Sequence, residues 1–578
     1  MKNLSIESSH SNADAGLMND ELFGVFGNSE LLEEYRPISE FDRIVSGESV
    51  AIALRGSDRR LRDRCSVYEC ADGCCVVWGE LFPPDSETTN AAQWVFERFA
   101  ALGTDAFSEL NGAYLVVVEY EGTAVIAPDL LRSVECYYTD TPETRTFGTD
   151  PVGLSKLLDS PSIDSRALNQ FIHFGVSFEN RTLLHELSRT PFDTLLGERT
   201  TRPLQRFVYQ PRDGPNVDHA AELAERLERV ISRRARDETP AGALASAGFD
   251  SRLLLATISD IDVSYTLGTE STPEVQVARR VAKQYGIDHE VLPVTDQYLN
   301  TSKEVVRYTG GIRESLHIHH RGNLDALTVP KMYHGLLLDT ILRDIYVPAR
   351  TVDAFGHSLP IGGLEADPNP IDHYRTRLGF FDGGDGLLAA GDGHGQSVDA
   401  LFEESIMTEI EGYDRRCNST LNAMALLGIQ LTPALPFRTQ LADNHVESLI
   451  AADAELIEWH LITPPEHRNG KTFQRALEML DDDILKHRPP DRPFTSYTLN
   501  QINGFIRREI PVISSPGTPW PDRDEIYETA DMDAKLFPDS PSVHHLPPRI
   551  KLRLNDALVW LECATGDVHT PADVCCLD

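Results

Sequence analysis

The chain contains 578 residues, carries a formal net charge of −37 at pH 7 and is 41% hydrophobic. A chain of this length is expected to form at least two domains. Its negative charge would repel a phosphate backbone, so we expect no nucleic-acid partner. No apolar run approaches bilayer length, and the N-terminus is polar and acidic. We therefore expect neither a membrane span nor a signal peptide, and a cytoplasmic location.

Acidic residues are spread along the whole chain, and arginine far outnumbers lysine. This composition is typical of proteins adapted to a salty cytoplasm, where ions screen the repulsion between like charges. The alternative is an acidic surface that binds cationic partners, which is expected to concentrate the charge in one region. The even spread favours the halophilic interpretation.

We predict that the protein unfolds or aggregates on dialysis into dilute buffer and recovers in molar KCl. The reason is screening, because the Debye length falls from about 30 Å at ~0.01 M salt to about 3 Å at ~1 M. Scanning calorimetry over this range should show a melting temperature that rises with KCl. A melting temperature that stays flat from dilute to molar salt would contradict the halophilic interpretation.

Short alternating apolar runs such as 76–78 and 114–118 predict strands in the first third of the chain. Several segments there resemble the class II glutamine amidotransferase domain: Phe-Gly-Val-Phe-Gly at 23–27, Trp-Gly-Glu-Leu-Phe at 78–82, Leu-Asn-Gly-Ala-Tyr at 110–114, Ala-Pro-Asp at 127–129 and Phe-Gly-Thr-Asp at 147–150. The resemblance implies an Ntn-type αββα sandwich.

Phe23 occupies the position at which that family carries its nucleophilic cysteine, and more than twenty residues precede it. The family's cysteine lies at the mature N-terminus, with the terminal amine nearby. Phenylalanine has no nucleophilic atom, and a long extension removes the terminal amine. We therefore expect no glutaminase activity.

The segment Ala-Leu-Ala-Ser-Ala-Gly-Phe-Asp-Ser at 243–251 follows a predicted amphipathic helix at 219–236. It predicts a strand, a tight loop and the start of a helix. The backbone N–H groups and the Ser246 and Ser251 hydroxyls would lie at a helix N-terminus, which attracts phosphate. Asp250 would repel phosphate unless a cation such as Mg²⁺ lay between them. A nucleotide site is indicated, with a plain β–α turn as the alternative.

The next residues predict a strand at 263–267 closed by Gly268, a helix at 273–285 and another strand from 289. Alternating strands and helices imply a doubly wound parallel sheet, with the ligand at the carboxyl ends of its strands. The ordered motifs resemble the synthetase domain of the asparagine synthase family, whose pyrophosphate loop is Ser-Gly-Gly-x-Asp-Ser. The resemblance implies that ATP is bound by Ser246, Ala247, Gly248, Phe249, Asp250, Ser251, Leu267, Gly268 and Gly335.

A second loop, His-Gly-Leu-Leu-Leu-Asp-Thr at 334–340, resembles the family's Ser-Gly-Glu-Gly-x-Asp-Glu. The resemblance implies that Asp339 joins Asp250 in binding Mg²⁺. The family's glutamate, a proposed general base, is replaced by Leu336, which cannot accept a proton.

The segment 484–494 resembles the family's Arg-x-Lys-x-x-Phe segment, but the lysine falls near Pro490. Arg488, Arg492 or Lys486 could supply the cation instead. Arg488 and Arg492 flank that place and are our catalytic candidates together with Asp250, and Arg343 is the next candidate. Arginine binds phosphate well but is not equivalent to lysine.

The resemblance divides the chain into an N-terminal extension at 1–20, an amidotransferase-like domain at 21–200, a synthetase domain at 215–510 and a C-terminal extension at 511–578. It implies an ATP-dependent, amide-forming ligase that adenylates a carboxylate, with aspartate as one candidate, and uses ammonia or another amine. A catalytically inactive ATP-binding protein remains the alternative, and a homodimer is left open.

Other groups of cysteine, histidine and glycine residues have both a structural and a functional interpretation. The cysteines at 65–75 match no standard zinc spacing, so buried thiols are favoured. His317 and His319 would share one face of a strand, but hydrogen-bonded histidines are commoner than a metal site. Glycine-rich stretches at 383–386 and 391–395, and residues 352–372, predict loops.

Overall fold

A computed structural model describes residues 17–575 except for 57–63, 85–89, 213, 215–216, 235–238, 355–356, 382–396, 495, 497–498, 501, 505 and 507–520. The glycine-rich stretches at 383–386 and 391–395, and most of the 1–20 extension, lie outside the described residues. The fold is mixed α/β, with an antiparallel sandwich followed by a parallel sheet. This confirms the predicted fold class.

The first layer pair consists of two antiparallel sheets, each six-stranded within the described residues. One has the order β10-β8-β9-β1-β3-β2, with β1 Glu21–Val25, β2 Arg43–Ser46, β3 Ala51–Arg55, β8 Tyr137–Asp140, β9 Arg145–Gly148 and β10 Ser188–Arg189. The other has the order β12-β11-β7-β6-β5-β4, with β4 Cys65–Cys70, β5 Gly73–Leu81, β6 Gly112–Tyr120, β7 Thr123–Pro128, β11 Thr194–Leu196 and β12 Thr201–Pro203.

The alternating apolar residues of these strands fill three layers of core. Leu22, Val76 and Leu115 lie in the cluster between the two sheets. The outer face of one sheet packs against helices, and so does the outer face of the other. The helices of this region are α1 Ser29–Tyr35, α2 Ala91–Leu102, α3 Pro151–Ser155 and α4 Ser165–Phe174. The result is the αββα arrangement that the sequence predicts.

The second sheet system is parallel, with the order β15-β14-β13-β16-β19. Its strands are β13 Ala241–Leu244, β14 Ile261–Leu267, β15 Asp288–Leu292, β16 Lys331–Tyr333 and β19 Val446–Ser448. A two-stranded antiparallel ribbon, β17 Ala349–Ala354 with β18 His357–Leu364, lies outside this sheet. The chain runs outward from β13 in one direction and returns to its other side at β16, so the strand order reverses between these two strands.

Helices precede, separate and follow the strands of the parallel sheet. They are α5 His219–Arg234, α6 Phe249–Thr257, α7 Pro273–Gln284, α8 Lys303–Val306, α9 Leu338–Arg343, α10 Pro370–Arg377, α11 Val398–Gly412, α12 Thr420–Leu431, α13 Pro436–Asn444, α14 Ala454–Ile462 and α15 Gly470–Leu480. Pro273 opens α7 at its first helical turn, as the fixed φ of proline favours. Among the described helices, none alone has the length and apolarity to span a membrane; α12 and α13, bent by 43°, meet those two criteria only as a pair.

The C-terminal helices are α16 Arg523–Thr529, α17 Met532–Leu536, α18 Pro548–Thr565 and α19 Pro571–Val574. Helix α18 packs against α3, α4 and α8 and contributes to the core on the outer face of the first antiparallel sheet. The fully buried Arg553 bonds to the Glu314 carboxylate at 2.6 Å and donates to backbone carbonyls of α4 and of residues 378–379. The C-terminal region is therefore part of the core.

Two sequence interpretations are wrong. Residues 352–372, expected to form a loop, contribute to the β17–β18 ribbon and to α10, because cross-strand pairing outweighs their turn-rich composition. His317 ends a single 3₁₀ turn, so His317 and His319 do not alternate on a strand. Within the described residues, no group of three or more His, Cys, Asp or Glu side chains is arranged to hold a metal.

Candidate functional site

The candidate site lies where the strand order reverses. The loop after β13 and the loop after β16 leave neighbouring parallel strands at their carboxyl ends. In open parallel sheets this divergence creates a crevice that binds ligands. The two loops are those that the sequence analysis singled out, at 245–248 and 334–337, and they face each other across this crevice.

The first loop is organised by its two serines. The Ser246 and Ser251 hydroxyls lie 2.9 Å apart, the Ser246 N–H donates to the Ser251 hydroxyl at 2.9 Å, and the Gly248 N–H donates to the Ser246 hydroxyl at 3.0 Å. Gly248 has extended backbone and is the N-cap of α6. The loop therefore places two hydroxyls beside the positive end of a helix, an arrangement suited to phosphate.

Ala247, which replaces a family glycine, is completely buried. Its N–H donates to the Glu274 carboxylate at 2.6 Å, and its carbonyl accepts from the Arg252 guanidinium at 2.9 and 3.2 Å. These bonds fix the loop, and the Ala247 N–H is occupied by the Glu274 carboxylate. Glu274, at the start of α7, is a loop partner that the sequence analysis did not assign.

The second loop packs directly on the first. A Cβ atom added to Gly335 would lie only 2.7 Å from the Asp250 Cβ, so this approach requires glycine. Leu337 has φ +68°, a left-handed turn that starts α9 and turns Asp339 toward the crevice. Leu336 packs against the main apolar core, so this position of the second loop offers no proton acceptor.

Asp250 and Asp339 are brought together, but a guanidinium lies between them. Arg343 Nη2 is 2.9 Å from Asp250 Oδ2 and 3.8 Å from Asp339 Oδ2. Burial raises the pKa of Asp250 to about 6; Arg343 and Arg492 act to lower it, and the Asp339 carboxylate adds to the rise. Asp250 Oδ1 is buried without a hydrogen-bond partner among the described residues.

The two carboxylates fit a resident Mg²⁺ poorly as they stand. Magnesium requires near-octahedral oxygen coordination. Here Asp250 Oδ2 and Asp339 Oδ2 both face the Arg343 guanidinium. Asp250 Oδ1 has no hydrogen-bond partner among the described residues. A metal ion at this pair would have to displace the Arg343 guanidinium.

The remaining candidate residues lie around the same crevice. Arg492 places its guanidinium carbon 5.5 Å from the centre of the Phe249 ring, and its Nε pairs with Asp491 at 3.1 Å. Arg488 donates to the Phe494 carbonyl at 3.2 Å. Leu267 is the last residue of β14, the strand beside β13, and Gly268, with φ +149°, follows it. Arg492 is thus close to the loop, whereas Arg488 is engaged by its own segment.

Sequence reasoning missed an ionic chain behind the second loop. His334 Nε2 lies 2.7 Å from a Glu447 carboxylate oxygen, and Arg438 Nε lies 2.6 Å from the same oxygen. The His334 Nδ1 accepts the Leu336 N–H at 3.3 Å. Arg438 and Glu447 also line a cavity between the two sheet systems, which Trp78 and Glu80 border from the other side. The sequence feature that could have indicated this chain of ionic contacts is His334, which comes directly before Gly335 of the second loop.

Phe23 lies in the middle strand of its sheet and is fully buried. Its ring stacks on Phe41 at 5.9 Å, with the Arg36 guanidinium carbon 5.1 Å from its centre. Apolar and cation–π packing therefore surrounds Phe23, and its side chain offers no nucleophilic atom.

Residues 222–315 match the family model for asparagine synthase. The match includes the first loop and Gly268 but ends before the second loop. It supports an ATP-dependent amidation ligase family for this part of the chain. No curated protein sequence matches the chain.

Solved structures with some similarity include one described as the allosteric regulatory enzyme of purine biosynthesis, at 11% identity over 64% of this chain and 83% of that chain, with a TM-score of 0.21. Another is glutamine phosphoribosylpyrophosphate amidotransferase from B. subtilis, complexed with ADP and GMP, at 10% identity over 64% of this chain and 84% of that chain, also with a TM-score of 0.21. A TM-score this low supports no inference about fold or function.

Proposed function

We propose that the protein is an ATP-dependent, amide-forming ligase of the asparagine synthase type. One observation carries the proposal: Ser246 on the first loop and Asp250 and Ser251 in the first turn of α6 lie together at the reversal point of the parallel sheet. They face Asp339 at the start of α9. The proposed ligand is ATP, which would arrive with the Mg²⁺ bound to its phosphates.

The reaction would have two displacements. A substrate carboxylate oxygen bonds to the α-phosphorus, and the bond to the β-phosphate oxygen breaks, which releases pyrophosphate. The amine nitrogen then bonds to the acyl carbon, AMP leaves, and the amine loses a proton to solvent because Leu336 cannot accept it. Hydroxyl donors and fixed cations that position the phosphates would supply most of the rate enhancement, so loss of one base need not abolish it.

Ammonia or another amine is the proposed nitrogen donor, since Phe23 cannot form an acyl-enzyme with glutamine. The test is an incubation of the full chain with ATP, Mg²⁺, molar KCl and a panel of carboxylates that includes aspartate. AMP and an amide should form with ammonium and not with glutamine. Glutamate release from glutamine, or ADP in place of AMP, would contradict the proposal.

An inactive ATP-binding protein is the second candidate. The Arg343 ion pair with Asp250 and the apolar surroundings of Leu336 favour it. It predicts that ATP raises the melting temperature but that no carboxylate in the panel yields AMP.

Arg492 is the proposed cation for the charge that develops on the α-phosphoryl group. Substitution Arg492→Ala should slow adenylation by roughly 100-fold, as loss of one transition-state donor does. ATP affinity should change little, because the contact would form mainly in the transition state. The measurements are the adenylation rate and the ATP dissociation constant for each variant.

Lys486→Ala is the matched control, since Lys486 is exposed and pairs only weakly with Asp483 at 3.6 Å. It should retain the wild-type rate. Equal losses in both variants, or a fall in ATP affinity as large as the fall in rate, would remove Arg492 from this role.

A further inference from the structure

Arg343 is the only described cation that reaches both carboxylates of the crevice within salt-bridge distance. It lies in the last turn of α9, four residues after Asp339, so both side chains project from the same helix face. Its Nη2 lies 2.9 Å from Asp250 Oδ2 in the first turn of α6. One guanidinium nitrogen therefore joins α9 to the start of α6.

The surroundings hold this guanidinium in place. The Arg343 side chain is only 11% exposed, and its guanidinium carbon lies 5.8 Å from the centre of the Phe473 ring. Solvent screens a pair at this depth less than an exposed one, so its Coulomb attraction is stronger than at the surface. The neighbouring Arg492 does not replace it, because its guanidinium lies over Phe249 and pairs with Asp491.

We infer that Arg343 is a built-in counter-ion of the Asp250–Asp339 pair and competes with divalent cations for the same carboxylate oxygens. In the nucleotide-free protein the pair would hold no divalent ion tightly. When a metal–nucleotide complex binds, the guanidinium must leave these oxygens, which frees it to meet the phosphates. The contact between Arg343 and the phosphates rests on the proposed ATP site. The competition between Arg343 and divalent cations does not depend on it.

The test is a titration of the nucleotide-free full chain with Mn²⁺ in molar KCl, followed by electron paramagnetic resonance of the free ion. The high salt suppresses diffuse binding of Mn²⁺ to an acidic protein. Arg343→Gln should bind one Mn²⁺ at least about tenfold more tightly than the wild type, since removal of a fixed cation strengthens the site for a divalent ion. The double variant Arg343→Gln with Asp339→Asn should lose that gain.

Arg343→Lys keeps the charge on a shorter reach and should give an affinity between those of wild type and Arg343→Gln. It provides a second comparison if the glutamine variant is unstable. Wild-type Mn²⁺ affinity in a folded Arg343→Lys and in Arg343→Gln, or a gain that survives Asp339→Asn, would overturn the inference. No ATP or carboxylate enters this titration, so absence of ligase activity would leave its outcome unaffected.

Discussion

Replacement of Asp250 by asparagine is expected to abolish most of the ATP-dependent stabilisation of this protein. At a ligand concentration of about 100 times the dissociation constant, ATP with Mg²⁺ should stabilise the wild type by roughly 2.7 kcal/mol. Asparagine preserves the shape of the side chain but not the charge that would hold the metal–phosphate complex. The measurement is the shift in melting temperature on addition of ATP and Mg²⁺.

Asp262→Asn is the matched control, since Asp262 is exposed on β14. It should show the full ATP-dependent shift. The ligand-free melting temperature of Asp250→Asn should differ little from that of the wild type. Loss of the ion pair with Arg343 is offset by relief of the cost of burying a carboxylate, whose pKa burial raises to about 6, and Arg343 keeps Asp339 as a partner. An undiminished ATP shift in Asp250→Asn would show that the first loop is not the nucleotide site.

Arg553→Met is expected to destabilise the protein by about 3–5 kcal/mol, the usual cost of removing one partner of a buried ion pair. Burial opposes the charge of Glu314, but Arg553 and Arg549 outweigh it and hold its pKa well below the ordinary value. Methionine would leave Glu314 with one fewer cation and would leave several backbone carbonyls without a donor. Urea unfolding measures the free-energy change.

Arg549→Met provides a control on the same carboxylate. Arg549 also bonds to Glu314, but its side chain is 37% exposed, so the substitution should cost about 1 kcal/mol or less. Equal costs for the two variants would contradict the view that α18 stabilises the fold through the buried Arg553.

The sequence predicted the parts of the structure that depend on local pattern. The strand–loop–helix at Ser246 follows from an apolar run, small residues at the turn and a second apolar run, and Pro273 predicted the start of α7. The alternation of strands and helices indicated the parallel sheet, and therefore the edge at which the two loops meet.

The remaining features depend on contacts between distant segments. Asp250 and Arg343 are far apart in sequence, so nothing local shows that the guanidinium reaches the carboxylate. The same holds for the His334–Glu447 pair and for Arg553, whose partners come from three separate segments. The β17–β18 ribbon was mispredicted because glycine and proline weaken a strand pattern that pairing can still stabilise.

We propose that ATP binds at residues 246–251, in the first loop and the first turn of α6, and that its AMP group is transferred to a carboxylate. The most direct test is exchange of labelled pyrophosphate into ATP by the full chain in molar KCl with Mg²⁺ and each carboxylate in turn. This exchange reports adenylation without knowledge of the amine. The account predicts exchange with at least one carboxylate, and its loss in Ser246→Ala, which removes a hydroxyl from the phosphate loop. Absence of exchange with every carboxylate, in wild-type protein that still binds ATP, would contradict the ligase and support the inactive ATP-binding alternative.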